Sequence, residues 1–183
     1  MTSEYVPRLG EGLRRVLVAG MGNLLRGDDG FGIEVVRRLS QRTDLPPGVC
    51  TIEVGIAGIP LVQELLDGYG MLIIVDATAG GRPPGTLVTL APQLPDLDDA
   101  SWEDVGTLLG DPHTATPSRV LLLARALGSL PKRVLIVGCE PVSCDELILG
   151  LSPSVAATVD EAVERVMALA RAWLGNGSLV GAP

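Results

Sequence analysis

The stretch from Arg15 to Leu39, RVLVAGMGNLLRGDDGFGIEVVRRL, joins two kinds of periodicity through a glycine-rich turn. Val16-Leu17-Val18-Ala19 is a short apolar run of strand length. Gly20-Met21-Gly22-Asn23 breaks it, and beyond Gly32 the apolar residues Ile33, Val36 and Leu39 recur at helical spacing. A strand that feeds a helix through a tight turn is the start of an α/β layer structure. Asp28 and Asp29 fall where the helix begins, and there unpaired N–H groups and the macrodipole favour an ionised carboxylate. Such a turn often cradles phosphate. Here the protein supplies the negative charge itself, which repels a nucleotide and suits a cation.

The rest of the chain repeats the alternation. Val49 to Val54 reads as a second strand closed by Gly55, and Gly58-Ile59-Pro60 opens a helix through Leu66. Met71-Leu72-Ile73-Ile74-Val75 is continuously apolar, as a central strand buried on both faces requires, and it ends in Asp76-Ala77. After the breakers of Ala79 to Gly85, Thr86 to Leu90 forms a short strand with no room for a helix before it, hence antiparallel. Thr116-Pro117 starts a helix stopped by Gly128, with Thr116 as its cap, and Arg133 to Cys139 is a further strand. Ser152-Pro153 caps a last helix whose apolar stripe reaches Leu174. The expected fold is a single-domain, three-layer α/β structure: a mostly parallel, five-stranded twisted sheet with helices on both faces. Residues 1–12 read as a loose arm, 13–174 as the domain and 175–183 as a frayed tail. Ala91 to His113 carries six acids and no Lys or Arg, and its default reading is a solvated loop with one weak helix.

Composition narrows the function classes. A net charge of −8 argues against nucleic acid or an anionic membrane as partner. No apolar run is long enough to span a bilayer, and the start of the chain does not resemble a signal peptide. Three scattered cysteines do not make a disulfide framework. The expectation is a cytoplasmic, monomeric protein with reduced thiols.

In open α/β sheets ligands bind beyond the carboxyl ends of the strands. Asn23, Asp28 and Asp29 stand there after the first strand, Asp76 after the central one and Glu140 after the fifth. His113, the only histidine, precedes the helix that starts near Thr116. Two carboxylates and a neutral imidazole in one crevice would suit a first-row divalent ion such as nickel, with open positions. Each residue also has a plainer reading. Asp29 favours the helix dipole, Asp76 caps a turn, His113 sits in an ordinary loop, and Glu140 bonds local backbone N–H groups. Cys139 and Cys144 read as buried small apolar residues, and a Cys–His dyad has no spacing to recommend it. Other motifs are missing. The third glycine of the dinucleotide fingerprint is absent, Glu53 lies beyond its expected offset, and neither a P-loop nor a G-x-S-x-G elbow occurs.

These blocks resemble the hydrogenase maturation endopeptidases, which trim the C-terminal extension of the [NiFe]-hydrogenase large subunit after nickel is installed. GMGNLLRGDDGFG is similar to the family's opening motif, IVDA followed by PPGTL to its second block, and VGCEPVSCDELILGLSPSV to its closing block, with TIEVGIAGIPLVQEL between. The resemblance spans Val16 to Leu174 in the family's order. It implies an endopeptidase whose metal-contacting and catalytic side chains are Asp29, Asp76 and His113. The implied partner is a large-subunit precursor, and the nickel is carried by that precursor rather than held by the free enzyme. Several members carry Glu where this chain has Asp29, one methylene shorter, and Asp28 is a neighbour that could share its role. The alternatives are a non-catalytic nickel- or ligand-binding module on the same scaffold and a nucleotide-binding domain.

Overall fold

A computed structural model describes residues 14–56, 58–94, 117–145 and 147–176. The expected N-terminal arm, the cap at Thr116, the acidic connector from 95 onward, His113 and residues 177–183 of the expected tail lie outside them. Five strands, β1 (Val16–Met21), β2 (Val49–Gly55), β3 (Met71–Ala77), β4 (Leu87–Leu90) and β5 (Arg133–Cys139), form one sheet in the order β2-β1-β3-β5-β4. All neighbours are parallel except β4, which runs antiparallel to β5. The strand with the most continuous apolar run, β3, is the middle one, paired on both edges.

Strand side chains alternate between faces, so β1 and β3 feed two separate cores. Val16, Val18, Ile73 and Val75 point to one face. There they meet α1 (Phe31–Ser40) and the long helix α5 (Val159–Asn176). Leu17, Ala19, Leu72 and Ile74 point to the other, against α2 (Ile59–Leu65) and α3 (Pro117–Ala126). The sheet therefore has helices on both faces, and the molecule is a three-layer α/β domain.

Two elements depart from the sequence expectation. The segment expected to begin the first helix at Asp29 is a single 3-10 turn, Gly27–Gly30, and α1 starts only at Phe31. The last helix is split into a one-turn α4 (Pro153–Ala156) and α5. At the break, Thr158 turns its hydroxyl back to the carbonyl of Val155. α5 also continues to Asn176, past Gly175, where the tail was expected to begin.

Candidate active site

The glycines after β1 let the chain turn tightly over the sheet's carboxyl end. Gly22 has φ +120°, and a Cβ there would lie 1.8 Å from the carbonyl oxygen of Asp29. Gly32 is crowded from two sides: its Cβ would fall 2.1 Å from the carbonyl oxygen of Val75 and 2.4 Å from that of Met21. The absence of side chains at both positions lowers the 3-10 turn and the start of α1 onto β1 and β3. That docking carries Asp29 toward the end of β3, where Asp76 stands.

The two carboxylates interact. Asp76 is partly buried, and its pKa is pushed up to about 7, first by burial and then by the negative charge of Asp29. Asp29 is itself raised by burial, against the lowering effects of the Asn23 backbone N–H and the Arg26 charge. Near neutral pH one acid of the pair is therefore often protonated. A divalent cation would relieve this repulsion by binding both in their ionised forms. Beside Asp29's turn runs a cleft of about 370 Å³, lined by Gly22, Asn23, Leu24, Ile33 and residues 53–56.

The adjacent Asp28 has a different task. It is 2% exposed, and its carboxylate accepts the backbone N–H of Val142 (2.8 Å), the backbone N–H of Ser152 (2.7 Å) and the Ser152 hydroxyl (2.9 Å). Three of its acceptor positions are committed to the loop after β5, a structural task beyond the sequence expectation for Asp28. Ser152 does occupy the N-cap position expected of it, yet its hydroxyl serves Asp28 rather than the helix.

Glu140 follows its plainer reading. It is buried and accepts N–H bonds from Gly80 and Gly81, each at 2.9 Å, with Arg82 3.9 Å away. These donors hold its carboxyl below the usual range. The bond ties the end of β5 to the turn that follows Asp76 and fixes that turn. Cys139 is buried as expected, whereas Cys144 is only half-buried. Burial and the charges of Asp29, Asp28 and Asp76 push the Cys144 thiol up to about 11. Cys139 is raised too, so neither sulfur is a ready thiolate nucleophile.

Among the described residues no three His, Cys, Asp or Glu side chains are grouped to hold a metal ion. The structure brings Asp29 and Asp76 together, and His113 falls outside the described residues. A family model for hydrogenase maturation proteases matches residues 33–169. The chain belongs to the hydrogenase maturation protease family. Members of this family are hydrolases of peptide bonds, and this protease is an enzyme of that kind. It is 34% identical to the hydrogenase 2 maturation protease of Escherichia coli, over 86% of this chain and 91% of that one. It is 33% identical to the hydrogenase expression/formation protein HoxM of Cupriavidus necator, over 87% of this chain and 76% of the relative. The solved structure of the maturating endopeptidase HybD from E. coli superimposes with a TM-score of 0.67 at 33% identity, covering 86% of this chain and 93% of that chain.

Proposed function

We propose that this maturation protease removes the C-terminal extension of a [NiFe]-hydrogenase large-subunit precursor, and that nickel already bound in the precursor directs the cut. The coupling between Asp29 and Asp76 carries this reading. Asp76, raised to about 7 by burial and further by the charge of Asp29, sits with it in an anionic pocket that a cation would stabilise. In this reading Asp29, Asp76 and His113 contact the nickel as substrate and are the catalytic set. They hold the scissile peptide bond beside a Lewis-acidic ion, which polarises the carbonyl or activates water. The names of the E. coli and C. necator relatives support the hydrogenase client. Three side chains with open positions bind weakly alone, so loaded and empty precursors are told apart by whether the ion arrives. The reaction is placed in the cytoplasm, on a monomeric enzyme. Among the described residues no helix is long and apolar enough to cross a membrane.

The test is a processing assay with nickel-loaded and nickel-free precursor, following loss of the C-terminal peptide by mass spectrometry. Cleavage of the loaded form alone, abolished by Asp76→Asn and by His113→Ala, is the expected result. Equal cleavage of both forms would remove the nickel-directed part. Binding of loaded precursor without cleavage would favour the non-catalytic module.

A further inference from the structure

The loop between β5 and α4 combines a pinned backbone with outward apolar side chains. Asp28 holds it at Val142 and Ser152, and the Gly27 N–H donates to the carbonyl of Ile148 at 2.7 Å. The side chains presented from this frame are large and apolar: Val142 is 59% exposed, Leu147 82%, Ile148 51% and Leu149 79%. Single exposed apolar residues need no explanation, but four large ones on one fastened loop are an exposure of the kind that meets a partner. A pinned backbone also loses little entropy on binding, which favours association.

Location identifies the partner. Gly27 and Asp28, which hold the loop, directly precede Asp29 in the 3-10 turn. The 142–145 stretch lies in the field of the acid pair, since the Cys144 thiol is raised by the charges of both Asp29 and Asp76. A polypeptide whose scissile bond lies at that pair is one residue from the turn position to which this loop is fastened. A second copy of the chain fits poorly. Two copies would each bring a net charge of −8 to the contact, and like charges repel.

We infer that Val142, Leu147, Ile148 and Leu149 form a docking surface for an apolar segment of the precursor polypeptide, held in register with Asp29 by Asp28. This rests on the processing reading above. It assigns the loop a share of substrate affinity separate from recognition of the ion.

The test measures steady-state processing of the nickel-loaded precursor from the same organism by the full-length Leu147→Asp/Leu149→Asp variant. Both side chains are mostly exposed, so Tm should not change. KM is expected to rise about tenfold or more with kcat within about twofold, because the contact is made equally in ground and transition states. Leu147→Met/Leu149→Met should restore the wild-type KM. Leu127→Asp, also exposed but at the amino end of β5, should leave it unchanged. An unaltered KM in the double Asp variant, with the wild type cleaving normally, overturns the docking surface and leaves the processing reading intact. An equal rise with Leu127→Asp overturns it too, as does a wild-type dimer in sedimentation that the double variant converts to monomer. A wild type that cleaves no precursor removes the processing reading and this inference with it.

Discussion

Asp28 and Asp29 are chemically identical neighbours with different hydrogen-bond partners, and substitution should separate them. Asp28 accepts three hydrogen bonds in a buried position. Asp28→Asn turns one acceptor oxygen into a donor facing donors, so stability should fall by about 2–4 kcal/mol, read from urea unfolding at pH 7. Asp29→Asn removes a carboxylate that burial already disfavours, so it should leave stability unchanged or raised while processing is lost. Equal stability losses in the two variants would contradict the division of labour. Asp76 adds a pH dependence. Its folded pKa of about 7 lies above the ordinary 3.8, so between those values the folded state keeps a proton that the unfolded chain has released. Stability therefore falls as pH rises through that window and levels off above pH 7. Asp76→Asn removes this slope. Its stability advantage over wild type should be about 2 kcal/mol larger at pH 8 than at pH 5, after allowance for solvent screening at a partly buried site. No growth of that advantage with pH would mean that neither burial nor the charge of Asp29 raises Asp76.

At the scale of elements, the joint between β1, β3 and α1 is an exacting contact. Helix propensity alone says that Gly32→Ala should stabilise α1 by up to about 1 kcal/mol. The geometry says the reverse, because the new methyl would sit 2.1 Å from the Val75 carbonyl oxygen and push α1 off the sheet. We expect a loss of about 3 kcal/mol or more, together with reduced processing, since the same shift moves Asp29 from Asp76. Calorimetry and the processing assay on one preparation test both parts. The elements themselves were largely readable. The apolar runs at β1, β3 and β5 and the Gly/Pro breakers place the strands to within a residue or two, and the missing crossover before β4 gives its antiparallel direction. The contents of the joint were not readable. Hydropathy does not distinguish a 3-10 turn from the first turn of a helix. A change of one residue decides whether an acid faces the loop after β5 or the end of β3. Glu140 and Asp28 take their donors from segments 60 and 114–124 residues away, beyond any local pattern. The convergence of Asp29 with Asp76 was accessible because both stand at carboxyl ends of adjacent parallel strands, a rule of the fold rather than of local sequence.

For the molecule as a whole, the sheet is a shared wall between two apolar cores, and this determines how it comes apart. Val16, Val18, Ile73 and Val75 belong to the α1/α5 side, and Leu17, Ala19, Leu72 and Ile74, each adjacent in sequence to one of them, to the α2/α3 side. Neither core can lose its strands while the other keeps them, because the same backbone hydrogen bonds between β1 and β3 serve both. Surface ion pairs such as Arg38–Asp160 and Arg171–Asp44 fasten the rim of the α1/α5 side but, being exposed, add little to this coupling. Unfolding should therefore be one cooperative transition despite the two cores. Trp173, packed against the α1/α5 cluster, is a natural reporter once the chain's other tryptophan is replaced as Trp102→Phe. Its fluorescence reads one face, and circular dichroism reads all the helices together. In urea the two midpoints should coincide within about 0.2 M, with the same slope. If the fluorescence transition came clearly before or after the loss of helix, the layers would be separable units. The acid pair, which depends on α1 resting on β3, would then be lost at a different stability from the sheet that carries it.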